Sequence, residues 1–350
     1  MMQPTGNRPR KHVAAFDAVA DPFGERSACT LRMRAQVLGG VFEFESNSRQ
    51  LLRLVNVAYG RLPAHTLSVE PPHFRIRLLL TPAEGLPTDV EPPPMRMHSG
   101  AGLLCGTMDS ANFAVVSPGE RTALVVVSRD MLRHPYHTRY ELIEFAVYVL
   151  ASRAQQLVSL HAACVGRKER GLLLIGPSGA GKSTLALHCL LQDMQLVAED
   201  GVFVTPDTLL ATGIGSFLHL RADSLHFLRR TADDAWIRRS PVIRRRSGVE
   251  KFEVDLRRAR SHVARTPLKI AGVVFLSKQS ASQRGSNHRP LLVPLHKSEL
   301  LEKLHASQPY AANQPVWTTF RKHVSGVSAF ELRRGQHPGE AIDALRRIIE

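Results

Sequence analysis

Eight consecutive residues, Gly176-Pro177-Ser178-Gly179-Ala180-Gly181-Lys182-Ser183, satisfy the pattern G-x-x-x-x-G-K-[ST], and Thr184 follows them. Glycines at these positions let the backbone close into a nest of inward-pointing N–H groups that suits phosphate oxygens. A helix starting at the end of the loop adds its positive N-terminal end. A lysine placed like Lys182 reaches β- and γ-phosphates, and a hydroxyl placed like Ser183 sits on Mg²⁺. An apolar strand pattern (LLLI) enters the loop and a helical pattern (STLALHCLL) leaves it. ATP and Mg²⁺ are therefore the expected ligands, with residues Gly176 through Thr184 holding the nucleotide.

The next acids fall close by. Leu196-Val197-Ala198-Glu199-Asp200 puts two carboxylates at the end of a short apolar strand, one short helix beyond the loop. A carboxylate near a γ-phosphate can hold Mg²⁺ or accept the proton of an attacking hydroxyl, and two adjacent acids could divide those tasks. Ser183, Glu199 and Asp200 are thus the candidate metal-holding residues. His161 follows an apolar stretch upstream of the loop, and neighbouring strands could bring it to the same end of a sheet. A histidine of this kind, taken alone, is more often structural than catalytic.

The elements around these residues are legible in outline. In the second half, apolar segments 157–165 and 171–175 read as strands, 182–191 as a helix and 195–204 as a strand. Residues 270–276 read as another strand, 279–289 as a polar insertion and 338–349 as a final amphipathic helix. The first half shows strand patterns at 29–37, 40–45 and 73–80, a short helix over Arg49–Tyr59, and a hairpin from 112–117 and 122–128. The proline-rich stretch 81–102 reads as a long irregular loop. Residues 136–156 form the strongest helix pattern of that half. The division expected is a flexible tail over 1–12, with Arg8, Arg10 and Lys11, an α+β domain over 13–135, and an α/β catalytic domain over 136–350.

His161, the glycine loop and the strand ending in Glu199-Asp200 together resemble the catalytic domain of HPr kinase/phosphorylase. The likeness is close over residues 157–204 and loose from there to about 345. It implies an α/β fold, with a P-loop kinase domain of HPr-kinase type in the C-terminal half and a smaller α+β N-terminal domain. It further implies that Lys182 contacts phosphates, Ser183 binds Mg²⁺, Asp200 is the general base and His161 assists charge or proton balance. Glu199 stands where that family has Asp. In Leu218-His219-Leu220-Arg221, His219 stands where bifunctional members carry a second metal-binding Glu. The segment associated with the reverse reaction is not recognisable, and residues 1–150 do not look like the family's usual N-terminal domain. The expectation is a monofunctional serine kinase of a peptide or small protein. Relatives of this kind accompany peptide-maturation systems, lasso-peptide pathways among them, which implies phosphorylation of a precursor peptide. The resemblance also suggests a homo-oligomeric assembly.

Composition narrows the field. The 350 residues are 43% hydrophobic and 22% charged, enough to build a packed core. No apolar run is long enough to cross a bilayer, and the start of the chain lacks the apolar core of a signal peptide. Four widely spaced cysteines make neither a disulfide scaffold nor a zinc template, so a reducing cytoplasm is expected. The net charge of +15 favours anionic partners. Its densest run is Arg229-Arg230, Arg238-Arg239 and Arg244-Arg245-Arg246, followed by Lys251. We expect a mobile arginine-rich loop beside the site that receives an acidic acceptor or nucleotide phosphates, with Lys251 as a further γ-phosphate contact. A solvated basic surface is an equal alternative. A nucleic-acid-associated ATPase fits the charge but not the 6% aromatic content or the acids so close to the loop. A non-catalytic nucleotide sensor and a small-molecule kinase, of free serine for instance, stay open.

Overall fold

The strand His73–Thr81 alternates strictly at its start, with Phe74, Ile76 and Leu78 buried and His73, Arg75 and Arg77 exposed. That alternation sets the first layer of the molecule, seen in a computed structural model that describes residues 29–85, 90–228, 232–258, 263–281 and 290–350. The tail 1–12, Arg229-Arg230 and most of the polar insertion lie outside the described residues.

The first sheet contains β1 (Leu31–Val37), β2 (Gly40–Ser46), β3 (His73–Thr81), β4 (Arg96–Gly100), β5 (Leu103–Thr107), β6 (Phe113–Ser117) and β7 (Thr122–Ser128). Their spatial order is β1-β2-β3-β7-β6-β5-β4. The β1–β2 hairpin turns on Leu38 and Gly39, both at positive φ, the geometry of a tight two-residue turn. The helix Arg49–Tyr59 is capped by Ser48 and crosses between the parallel strands β2 and β3. The stretch 81–102 is more ordered than its prolines suggest. After Pro94 the chain forms β4, and positive φ values at Ala101 and Gly102 turn it back into β5.

The expected helix over 136–156 is a composite of Pro135–His137, a π-helical Thr138–Ile143 and the α-helix Glu144–Ala154. Its Leu142, Ile143, Ala146, Val147 and Leu150 sit in one core with Phe42, Phe44, Leu78 and Val125. The helix therefore packs in the core of the first sheet. Periodicity marks a buried face but not the partner that buries it.

The chain continues through β8 (Val158–His161), β9 (Ala163–Arg167), β10 (Arg170–Ile175), β11 (Gln195–Ala198), β12 (Gly201–Val204) and β13 (Leu210–Gly213). A small sheet follows, from β14 (Phe217–Leu220), β15 (Val242–Arg244) and β16 (Glu250–Asp255), in the order β14-β16-β15. The last strands are β17 (Leu268–Ser280), β18 (Leu292–Pro294) and β19 (Ser328–Arg334). The second large sheet runs β11-β9-β10-β17-β13-β12-β8, with β19 beside β17 and β18 beside β19. Strands β10, β17 and β19 are parallel. One face packs on the helices Lys182–Leu190 and Ile342–Ile349, the other on Lys297–Ser307 and Trp317–Val324. The result is a mixed α/β architecture whose central sheet is covered on both faces. Each long strand expected at 157–165 and 195–204 is broken in two, at Ala162 and at Glu199-Asp200.

Candidate active site

Leu172, Leu173 and Leu174 are fully buried in β10, which fixes the point where the glycine loop emerges between sheet and helix. Gly179 and Gly181 take φ of 78° and 97°, a region costly for other L-residues. No side chain caps the helix Lys182–Leu190 at Gly181, so its first N–H groups are left for a ligand. Lys182 folds back over the loop and its Nζ donates to the Gly176 carbonyl at 2.7 Å. Thr184 lines the same cavity, but its hydroxyl is engaged with Ser224 Oγ at 2.8 Å.

Strand register brings the distant residues in. Gly201 of β12 pairs with His161 of β8, and Ala162 N–H donates to the Asp200 carbonyl. In the adjacent pairing of β11 with β9 the register shifts between Leu196 and Ala198. The ribbon is thus interrupted at Glu199-Asp200, which frees both carboxylates from alternation. His161 Nδ1 lies 3.0 Å from Asp200 Oδ1, and Lys182 Nζ lies 3.3 Å from His161 Nε2. Lys182 donating to Nε2 while Nδ1–H donates to Asp200 satisfies all three groups. Gln308 fixes His161 from the other side: its Oε1 accepts the His161 N–H at 2.8 Å and its Nε2 donates to the His161 carbonyl at 3.1 Å. Burial opposes the Asp200 charge, but the hydrogen bond from His161 and the cations Arg245 and Lys182 hold its carboxyl far below the usual range. Burial also lowers the Lys182 ammonium, against the pull of Asp200 and Glu199.

Glu199 is turned the other way. It is buried, accepts from Ser183 Oγ at 2.5 Å through Oε1, and accepts the His219 backbone N–H at 2.8 Å through Oε2, with His219 Nδ1 at 2.7 Å. Behind His219 stand Tyr140, Glu253 and Arg139, three residues with no sequence signal pointing to the site. Burial works against charge on Glu199, yet the His219 pairing and the Ser183 hydrogen bond leave its carboxyl below its ordinary value. Glu253 is held at about 2: burial opposes its charge, and His219, Arg139 and Tyr140 overcome it.

These groups open on a cavity of about 560 Å³ whose lining also includes Arg221, Arg245, Lys251, Lys278 and Arg334. The arginine-rich segment is not a free loop. Residues 242–255 form the β15–β16 hairpin, turned at Gly248 with φ 76°. Arg246 donates to Glu141 at 2.5 and 2.7 Å and to the carbonyls of Pro92 and Pro93, so it docks the hairpin on the first half. Arg245 faces the cavity beside the Tyr136 hydroxyl at 3.4 Å, and Arg244 is exposed. Among the described residues of this segment, Arg245 and Lys251 line the cavity.

Among the described residues no three His, Cys, Asp or Glu side chains converge to hold a metal ion by themselves. An ion here would need oxygens from a phosphate, which is how Mg²⁺ is usually bound. The chain's oxygens fit that role. Ser183 gives its proton to Glu199, which leaves the hydroxyl lone pairs for a cation, and the second oxygen of Asp200 has no protein partner among the described residues. Both oxygens of Glu199 are engaged, Oε1 by Ser183 and Oε2 by His219, and both ring nitrogens of His219 have partners.

No protein-family model and no curated protein matches the chain. Among solved structures it is similar to the Hpr(Ser) kinase/phosphatase from Coxiella burnetii. The identity is 12%, over 55% of this chain and 93% of that chain, with a TM-score of 0.27. Among the described residues, no helix is long and apolar enough to cross a membrane.

Proposed function

We propose that this chain is an ATP-dependent kinase that transfers the γ-phosphoryl group to a hydroxyl, and specifically to a serine of a peptide or small protein. One observation carries the reading: an ammonium at a helix start, an imidazole at the end of β8 and a carboxylate between β11 and β12 meet within hydrogen-bonding reach at the mouth of a glycine loop. The loop N–H groups and Lys182 would hold the β- and γ-phosphates. Mg²⁺, held by Ser183 and phosphate oxygens, would neutralise charge on the phosphates. The acceptor oxygen attacks the γ-phosphorus, the bond to the β–γ bridging oxygen breaks, and ADP leaves. The hydroxyl proton passes to the free oxygen of Asp200, whose other oxygen is fixed by His161. With its carboxyl so far below the usual range, Asp200 stays ionised and orients the hydroxyl, taking the proton late, as a loose transition state allows. The resemblance of residues 157–204 supports serine as acceptor, and the cations Arg245 and Lys251 support an acidic one.

Purified protein with ATP, Mg²⁺ and acidic serine-containing peptides should yield phosphoserine by mass spectrometry. Asp200→Asn should lower the rate by about 10²–10⁴, the usual loss for an acid–base group. Equal rates in the two proteins would exclude Asp200 from the proton transfer.

A further inference from the structure

Behind Ser183 runs a continuous, largely buried chain of hydrogen bonds that the transfer step does not use. It passes from Ser183 to Glu199, from Glu199 to His219 Nδ1, and from His219 Nε2 to the Tyr140 hydroxyl at 2.8 Å. Tyr140 donates onward to Glu253 Oε1 at 2.6 Å, and Arg139 pairs with the same oxygen. Proton counting gives it one direction. Tyr140 has a single proton, directed to Glu253, so its oxygen accepts from His219 Nε2–H, while His219 Nδ1–H serves Glu199. Glu199, His219 and Glu253 are all buried, so no water replaces a lost partner cheaply. Arg139 and Tyr140 lie in the π-helical turn of the first sheet's helix, and π turns inside helices frequently mark functional sites.

We propose that Tyr140 is a positioning residue for the Ser183 hydroxyl, acting through His219 and Glu199. The first sheet's helix thereby completes the cation-binding end of the glycine loop. This rests on the reading that the loop binds ATP with Mg²⁺. Without the Tyr140 oxygen, His219 Nε2 keeps only the longer contact to Glu253 Oε1 at 3.7 Å, and the ring no longer holds Glu199 in one orientation. The Ser183 proton then has no fixed acceptor, and its lone pairs lose their aim.

Calorimetric titration of ATP with and without Mg²⁺ tests the proposal on wild type, Tyr140→Phe and Tyr59→Phe. Tyr59 carries a buried hydroxyl with no hydrogen-bond partner among the described residues, so it controls for loss of a phenolic oxygen as such. Tyr140→Phe should weaken Mg²⁺-dependent binding by about 10–100-fold and metal-free binding by less than about twofold, as outer-sphere partners of a metal site do. Tyr59→Phe should change neither. Nitrogen NMR of the wild type without ligands should find His219 protonated at Nδ1, and Tyr140→Phe should shift its Nε2 signal. Equal loss with and without Mg²⁺ would reduce Tyr140 to a tether between the halves and overturn the proposal, as would unchanged binding. If Tyr140→Phe does not fold, the wild-type NMR decides, and a bare His219 Nδ1 refutes the relay. A wild type that binds no ATP would defeat the functional reading instead, leaving the His219 signals to judge the relay alone.

Discussion

The two large sheets treat their strand pairings differently. In the first, β3 and β7 pair without interruption from Arg75–Thr122 to Thr81–Ser128, and the side chains turned inward, Ile76, Leu78, Val125 and Val127 among them, are fully buried. In the second, the antiparallel ribbon of 158–167 with 195–204 breaks at Ala162 and at Glu199-Asp200, and the candidate chemistry gathers at the break. Unbroken alternation commits each side chain to a face. A break releases two neighbours from that rule, so that Asp200 meets His161 while Glu199 turns inward to Ser183.

The sharpest way to break this contrast is at Phe203, a residue of the second sheet that lies in the first sheet's core. If the two layers unfold as one body, Phe203→Ala should cost about 3–5 kcal/mol, with far-UV and near-UV signals shifting together in urea. A loss below about 1 kcal/mol would show that the layers are energetically separate.

Acidity should then separate them by sign. In the second half, burial lowers His188 to about 4, and its Nε2 has no hydrogen-bond partner among the described residues. The folded form keeps it neutral, whereas the unfolded chain takes up a proton below about 6.5. Its contribution is complete above that pH and is lost as pH falls toward 4. In the first half, burial raises Glu144 to about 7, so the folded form prefers it protonated. Its contribution is complete below about 4.5 and is lost as pH rises through 7. Stability measured across this range should lose its acid-side slope in His188→Leu and its neutral-side slope in Glu144→Gln, each effect being of order 2 kcal/mol. Parallel slopes in all three proteins would contradict both assignments.

The smallest effect is expected at the contact between the halves. Arg246→Ala removes the docking bonds to Glu141 and the Pro92 and Pro93 carbonyls, and should cost about 1 kcal/mol. Hydrogen exchange should quicken in residues 242–255 and stay unchanged in β3 and β7. Uniform exchange across the chain would mean that Arg246 does not fix the hairpin.

The glycine loop was legible because its chemistry is local: eight neighbouring residues define the turn, the lysine and the hydroxyl. Asp200 was legible from its closeness to the loop, whereas His161 was legible only through a resemblance, since their meeting depends on the register of β8 with β12. The breaks at 162 and 199–200 lie beside or at polar residues, His161 and Glu199-Asp200, but the apolar runs further out on both sides read as continuous strands. The β4–β5 hairpin was hidden by the prolines that end just before it. Tyr140, 79 positions from His219, carries no sequence signal at all, because a buried hydroxyl in an apolar helix looks like core packing.

Gln308 has a consequence for how any second chain could approach. Strand β8 is the last of its path through the sheet, the position where a foreign strand would normally add on. By giving His161 both an acceptor and a donor, the glutamine amide acts as one counterfeit rung of a neighbouring strand. The amide occupies the free edge of β8 at His161. On the proposed reading, a hydroxyl bound for Asp200 would come in across the open cavity.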